Sequence, residues 1–189
     1  MRLTQIIAAA ILTTFPAFAQ DAEFDVEDEA QLCIGCHGEQ GLPIEPDYPI
    51  IHGQEYFYIY TQLRDYGAGR RQHDIMTDIA SAYDRDQAKA LAQYFADLPW
   101  PAIQAPALQD GDQALSEKGI TGGQCSACHG KWDGDSRIPR LAGQQPAYLE
   151  KTMLDFKNEI RMNAPDKIST MKQLDDATIE ALSRYLAAL

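Results

Sequence analysis

Apolar residues recur at helical spacing along most of the chain. Tyr56, Ile59, Tyr60 and Leu63 fall at i, i+3, i+4 and i+7, one face of a helix. Ala88, Leu91, Ala92 and Phe95 repeat the pattern, with Asp84 as N-cap and Pro99 as stop. Leu149, Thr152, Met153 and Phe156 form a third such face, with Pro146 at the first helical position. A last helix, starting near Asp175 or Asp176, buries Ile179, Leu182, Leu186 and Leu189. Two shorter helices are expected, over Ala22–Cys36 and from a cap at Asp112 through Lys118. No stretch alternates as a strand does, so the expected class is all-α.

The pattern occurs twice. Gly53-Gln54 and Gly143-Gln144 stand 90 residues apart, and Tyr94 and Tyr185 stand 91 apart. A fixed period of this kind marks a tandem duplication. The expected division is a leader over 1–19, a first domain over 20–99, a linker over 100–111 and a second domain over 112–189. The region from Pro99 to Gly111 holds three prolines and no helical pattern, as a linker does.

Both repeats carry the same chemistry. Cys33-Ile34-Gly35-Cys36-His37 and Cys125-Ser126-Ala127-Cys128-His129 contain all four cysteines of the chain. Cys-x-x-Cys-His is the attachment motif of a c-type haem. Two thiols three residues apart on a turn of helix each form a thioether with one vinyl group of a porphyrin, and the following histidine is carried under the iron. The motifs therefore imply two covalently bound haems, with Cys33, Cys36, Cys125 and Cys128 as attachment points and His37 and His129 as iron ligands. The competing uses of such pairs are a structural zinc site and a redox dithiol. Neither requires a histidine directly after each pair.

Thioether-bound haem is assembled outside the cytoplasm, and the amino terminus has the features of an export signal. Arg2 precedes an apolar run from Ile6 to Phe15, and Ala17-Phe18-Ala19 is a small-x-small cleavage site. The run is too short to span a bilayer, which takes roughly 20 apolar residues. The expected location is the periplasm, after cleavage near Ala19, with no spanning segment. The formal charge is −12. An acidic surface is repelled by nucleic acid and anionic lipid, and it favours redox partner proteins with a basic docking face. No acid, base or nucleophile constellation accompanies the motifs, so no enzyme activity is expected.

The sixth iron ligand separates a carrier from a catalyst. Met76 lies 39 residues after His37 and is the methionine of the first unit, with His52 and His73 as rivals. In the second unit Met171, in the stretch before the final helix, is the expected ligand; Met162 and Lys167 are the alternatives, and Met153 reads as core.

These residues together resemble the dihaem cytochromes c of the cytochrome c4 type, two class I cytochrome c domains in tandem. The resemblance rests on the two motifs, the Pro-x-x-x-Gly-Gln segments at Pro49 and Pro139, Arg71 and Arg161, and Tyr94 and Tyr185 in the closing helices. It implies that the carbonyls of Pro49 and Pro139 accept hydrogen bonds from His37 and His129. The departure from the pattern is Met171, three residues before Leu174, where Met76 is seven before Tyr83. The implied function is electron transfer between redox partners through two His/Met haems. The alternative is an electron-accepting subunit of a periplasmic dehydrogenase, similar to the haem subunit of flavocytochrome c sulfide dehydrogenase.

Overall fold

The computed structural model describes residues 24–189; the leader expected over 1–19 lies outside the described residues, as does Ala22. In the first half, α1 (Val26–His37), α2 (Tyr56–Gly67), α3 (Asp74–Ser81) and α4 (Arg85–Asp97) follow one another. In the second half, α5 (Asp112–Gly122), α6 (Ser126–His129), α7 (Pro146–Lys157), α8 (Pro165–Met171) and α9 (Asp176–Ala187) do the same. Extended pairing among the described residues is confined to an isolated bridge between Asp135 and Ile138.

Local chemistry explains where the helices begin. The Asp25 side chain accepts from the Glu27 and Asp28 N–H groups, and Glu27, Asp28 and Glu29 place negative charge at the positive end of the α1 dipole. Asp84 and Gln87 form a reciprocal capping box at α4. Pro146 opens α7 as the spacing predicts.

Each half has its own core. Ala30, Ile59, Leu91, Ala92 and Phe95 are buried together in the first, and Leu149, Met153, Phe156, Leu174, Ile179 and Leu182 belong to the larger cluster of the second. The first and last helices of each half pack together, α1 on α4 and α5 on α9.

The structure corrects several sequence expectations. Helix α1 runs to His37 rather than stopping at Cys36, so the whole motif lies on its last turns. Gly111, in a left-handed conformation, is the N-cap of α5. Asp112 is instead the first helical residue and is clasped by Arg184, and the helix continues past Lys118 to Gly122. The second motif does not share that helix. Two glycines and Gln124, at φ +50°, break the chain before it, and the motif's end forms the separate short α6. Met76 and Met171, expected in loops, lie on α3 and α8. Leu189, expected in the core, is half exposed.

The expected linker contains no helix up to α5. Its first residue, Trp100, is wedged between the two Gly-Gln segments. Gly53 has φ +66°, and a Cβ there would lie 2.7 Å from the Trp100 backbone nitrogen. A Cβ on Gly143, at φ +70°, would lie 3.2 Å from Trp100 Nε1. The Arg140 guanidinium covers the Trp100 ring at 4.6 Å.

Candidate haem centres and the seam between them

In the first half, the end of α1 brings Cys33, Cys36 and His37 to the wall of a cavity of about 480 Å³. The His37 ring is buried, and its Nδ1–H donates to the Pro49 carbonyl at 2.8 Å. That bond fixes the tautomer and leaves Nε2 with its lone pair available for a metal. Burial holds the ring's pKa below its ordinary value, although the Pro49 carbonyl opposes the shift. The imidazole is therefore neutral and ready to ligate.

In the second half, Cys125 and His129 line the same cavity. Burial, and after it the nearby Lys167 charge, lower His129 to about 4, against the opposing Pro139 carbonyl. Among the described residues His129 Nδ1 is buried and has no partner in hydrogen-bond geometry, the Pro139 carbonyl included. The Pro139 bond implied by the resemblance is thus less well formed than its Pro49 counterpart.

The alternative uses of the cysteines fit poorly. Among the described residues, no three His, Cys, Asp or Glu side chains converge to hold a metal ion, so the two pairs do not build one zinc centre. Burial pushes the Cys33 thiol up to about 11 and raises Cys125 as well, the opposite of an activated redox thiolate.

Met76 lines the cavity beside the first motif. Of its rivals, His73 also lines the cavity, but its Nδ1 caps α3, accepting from Ile75 and Met76 N–H. His52 is buried beside Gly41 and Phe95. In the second half Met171 and Lys167 both border the cavity. Met171 is also packed into the core with Leu149, Met153 and Leu174, whereas Met162 is 52% exposed.

The cavity continues across the seam between the halves, where polar side chains meet. Arg71 donates to Gln62 Oε1 at 2.9 Å and to the Tyr148 hydroxyl at 3.2 Å. Arg161 donates to Gln62 Oε1 at 2.8 Å and to the Tyr58 hydroxyl at 3.4 Å. Asn163 bridges Gln62 and Asp65. The two guanidiniums lie over aromatic rings, Arg71 over Tyr66 and Arg161 over Phe156. Both are buried, and neither has a carboxylate at ion-pair distance among the described residues. Burial pushes the Tyr148 phenol up, but the two guanidiniums outweigh it and hold the group below its usual range. Two buried, unneutralised cations are costly unless an anion meets them. The propionate carboxylates of a porphyrin have that chemistry, so the seam and both motif walls fit haem. Sequence reasoning singled out Arg71 and Arg161 but missed Tyr58, Tyr148, Gln62 and Asn163. A signal was present, since Tyr58 and Tyr148 stand 90 apart, in register with the Gly-Gln repeat.

The repeated glutamines also cross the seam, each to the residue after the other half's proline. Gln144 accepts from Ile50 N–H at 2.8 Å and donates to the Ile50 carbonyl at 3.0 Å. Gln54 does the same with Arg140, at 2.8 and 3.0 Å. The halves are therefore joined as a pseudo-twofold pair.

No known protein-family profile matches the chain. Over 170 residues the chain is 32% identical to a cytochrome c4 of Thiocapsa roseopersicina, covering 84% of this chain and 87% of the relative. The chain belongs to the cytochrome c4 family. It is also 32% identical over 174 residues to a thiosulfate dehydrogenase electron acceptor of Thiomonas intermedia, covering 85% of this chain and 79% of that one. The solved cytochrome c4 of Acidithiobacillus ferrooxidans superimposes with a TM-score of 0.76 at 27% identity, over 85% of this chain and 99% of the other. As a cytochrome c4-type protein, the chain is a dihaem electron-transfer cytochrome with covalently bound haems and a helical dihaem class I fold. None of its described helices is long and apolar enough to cross a membrane.

Proposed function

We propose that this cytochrome is a periplasmic carrier that shuttles electrons between partner proteins with basic docking faces. We assign thioether attachment to Cys33 and Cys36 in the first half and to Cys125 and Cys128 in the second, with His37 and His129 as proximal ligands. Met76 is the sixth ligand of the first haem. For the second haem Met171, the sequence's choice, and Lys167 both border the cavity. The observation that carries the reading is a single cavity lined by both motifs and crossed by two buried arginines. It supports two redox centres in one molecule that share a seam.

Bound haem supplies a one-electron ferric/ferrous couple. The chain's own residues do the rest. Pro49 holds the His37 tautomer, the two cores exclude water, and Arg71 and Arg161 neutralise carboxylate charge at the seam. The acidic surface steers encounter with a basic partner. The domain limits 20–99 and 112–189, with cleavage near Ala19, complete the proposal.

The test is intact mass of the exported protein together with electron exchange against a basic redox protein. Two haems and rapid, salt-sensitive exchange are expected; a mass with one haem or none defeats the reading. A second role is favoured by the similarity to a thiosulfate dehydrogenase electron acceptor, namely a lasting accepting subunit of a dehydrogenase. A subunit co-purifies at high salt, whereas a carrier with a small, wet interface dissociates.

A further inference from the structure

We infer that Lys167, not a methionine, supplies the sixth ligand of the second haem, giving the protein one His/Met and one His/Lys centre. The inference rests on the two-haem reading above and concerns only the second iron.

The register of the two halves carries the argument. Arg71 N–H donates to the Asp65 carbonyl and Arg161 N–H to the Asp155 carbonyl, both at 3.0 Å, so these arginines are counterparts 90 residues apart. The second half then has one more residue before its next helix. His73 is the N-cap of α3 and Ala164 the N-cap of α8, now 91 apart. Asp84 and Asp175, the N-caps of α4 and α9, keep that same offset. Between these fixed points the correspondence leaves no slack. Met76 is the third residue of α3, and Lys167 is the third residue of α8. The stretch before the last helix is therefore not shortened in the second half. Met171 falls opposite Ala80, and both are buried, at 8% and 5% exposure. Met171 has taken a core position, in one buried cluster with Leu149, Met153 and Leu174, and reaches the cavity from that core.

The surroundings of Lys167 agree. It borders the cavity with Cys125 and His129. Among the described residues its Nζ has no hydrogen-bond or ion-pair partner, whereas Lys151, Lys157 and Lys172 are each paired with a carboxylate. A half-buried amine without a partner, bordering the same cavity as the histidine, has a lone pair to offer once it loses its proton. On ligation Nζ releases one proton to solvent and donates that pair; no electron is transferred.

The test uses the holoprotein and the near-infrared charge-transfer band of methionine-ligated ferric haem, calibrated per haem. The wild type is expected to show one equivalent of the band for two haems. Lys167→Met should double it to two equivalents and raise the potential of one haem only, since a thioether favours the ferrous state. Lys167→Ala should leave the band at one equivalent while one haem acquires rapid cyanide and carbon monoxide binding. Met171→Leu, which conserves core volume, should leave the band and ligand binding unchanged. Two equivalents in the wild type, or loss of half the band in Met171→Leu, overturns the inference in favour of Met171. A band that stays at one equivalent in Lys167→Met overturns it as well. A protein with fewer than two haems would instead sink the two-haem reading, so the two failures are distinguishable.

Discussion

Replacing Gln144 with leucine tests whether the halves are coupled through the backbone next to the haem histidine. Gln144 is 2% exposed, and its amide serves both peptide groups of Ile50, itself 1% exposed. Leucine fills a similar volume, so the cavity contribution is small. What remains is an Ile50 N–H and carbonyl cut off from water and from any partner. Each buried unsatisfied group costs about 1–3 kcal/mol, so the variant should lose about 2–6 kcal/mol of stability. Gln54→Leu removes the mirror-image bonds to Arg140, but Arg140 is only half-buried and water can replace the lost partner. Its loss should be the smaller, about 1–2 kcal/mol. Guanidinium unfolding of the holoproteins, followed by far-ultraviolet dichroism and haem absorbance, measures both. The effect also has a redox signature in the other half. Ile50 follows Pro49, whose carbonyl makes the imidazole more basic and stabilises ferric iron. Loosening that carbonyl should raise the potential of the first haem, although Gln144 belongs to the second half. If Gln144→Leu is as stable as the wild type, or costs no more than Gln54→Leu, the reasoning fails.

Cys36→Ala and Cys128→Ala should each leave one haem with a single thioether or none, and the affected half should lose helicity because the haem is part of its core; intact mass and dichroism report both. Exchange with a basic redox protein should slow as salt rises, since exposed charges are screened within ~8–10 Å at physiological ionic strength; a flat salt series would assign the −12 charge to solubility alone. The Arg184 hydrogen bonds hold Asp112 at about 2, against burial, from an ordinary value of 3.8. A depressed carboxyl contributes its stability above the unfolded value and loses it as pH falls through the folded one. The wild type should therefore be more stable than Asp112→Asn at neutral pH, with the gap closing between pH 3.8 and about 2 in acid unfolding curves; a constant gap would contradict the assignment.

What the sequence by itself determined is the chemistry of nearest neighbours. Cys-x-x-Cys-His is a local device, since a turn of helix brings its three functional groups together without help from the rest of the chain, so the motifs Cys33 through His37 and Cys125 through His129 can be read without knowing the rest of the fold. The long amphipathic helices α2, α4, α7 and α9 were legible for the same reason, because their spacing reports one buried face. The short helices α3 and α8 were not, because eight and seven residues offer too few turns to establish a period. The seam was also hidden. Gln144 meets Ile50 and Arg161 meets Tyr58 only after two copies of the fold have turned face to face, and no local pattern encodes that approach. Residue type was least informative at the second sixth ligand. A methionine sulfur binds iron, and the same side chain fills a core, so identity could not separate Met171 from Lys167. The proposed preference for Lys167 comes from register, through one added residue after Arg161 and the caps at Ala164 and Asp175. Those are set by how α8 and α9 pack against α7, a property of the folded half and not of any short stretch within it.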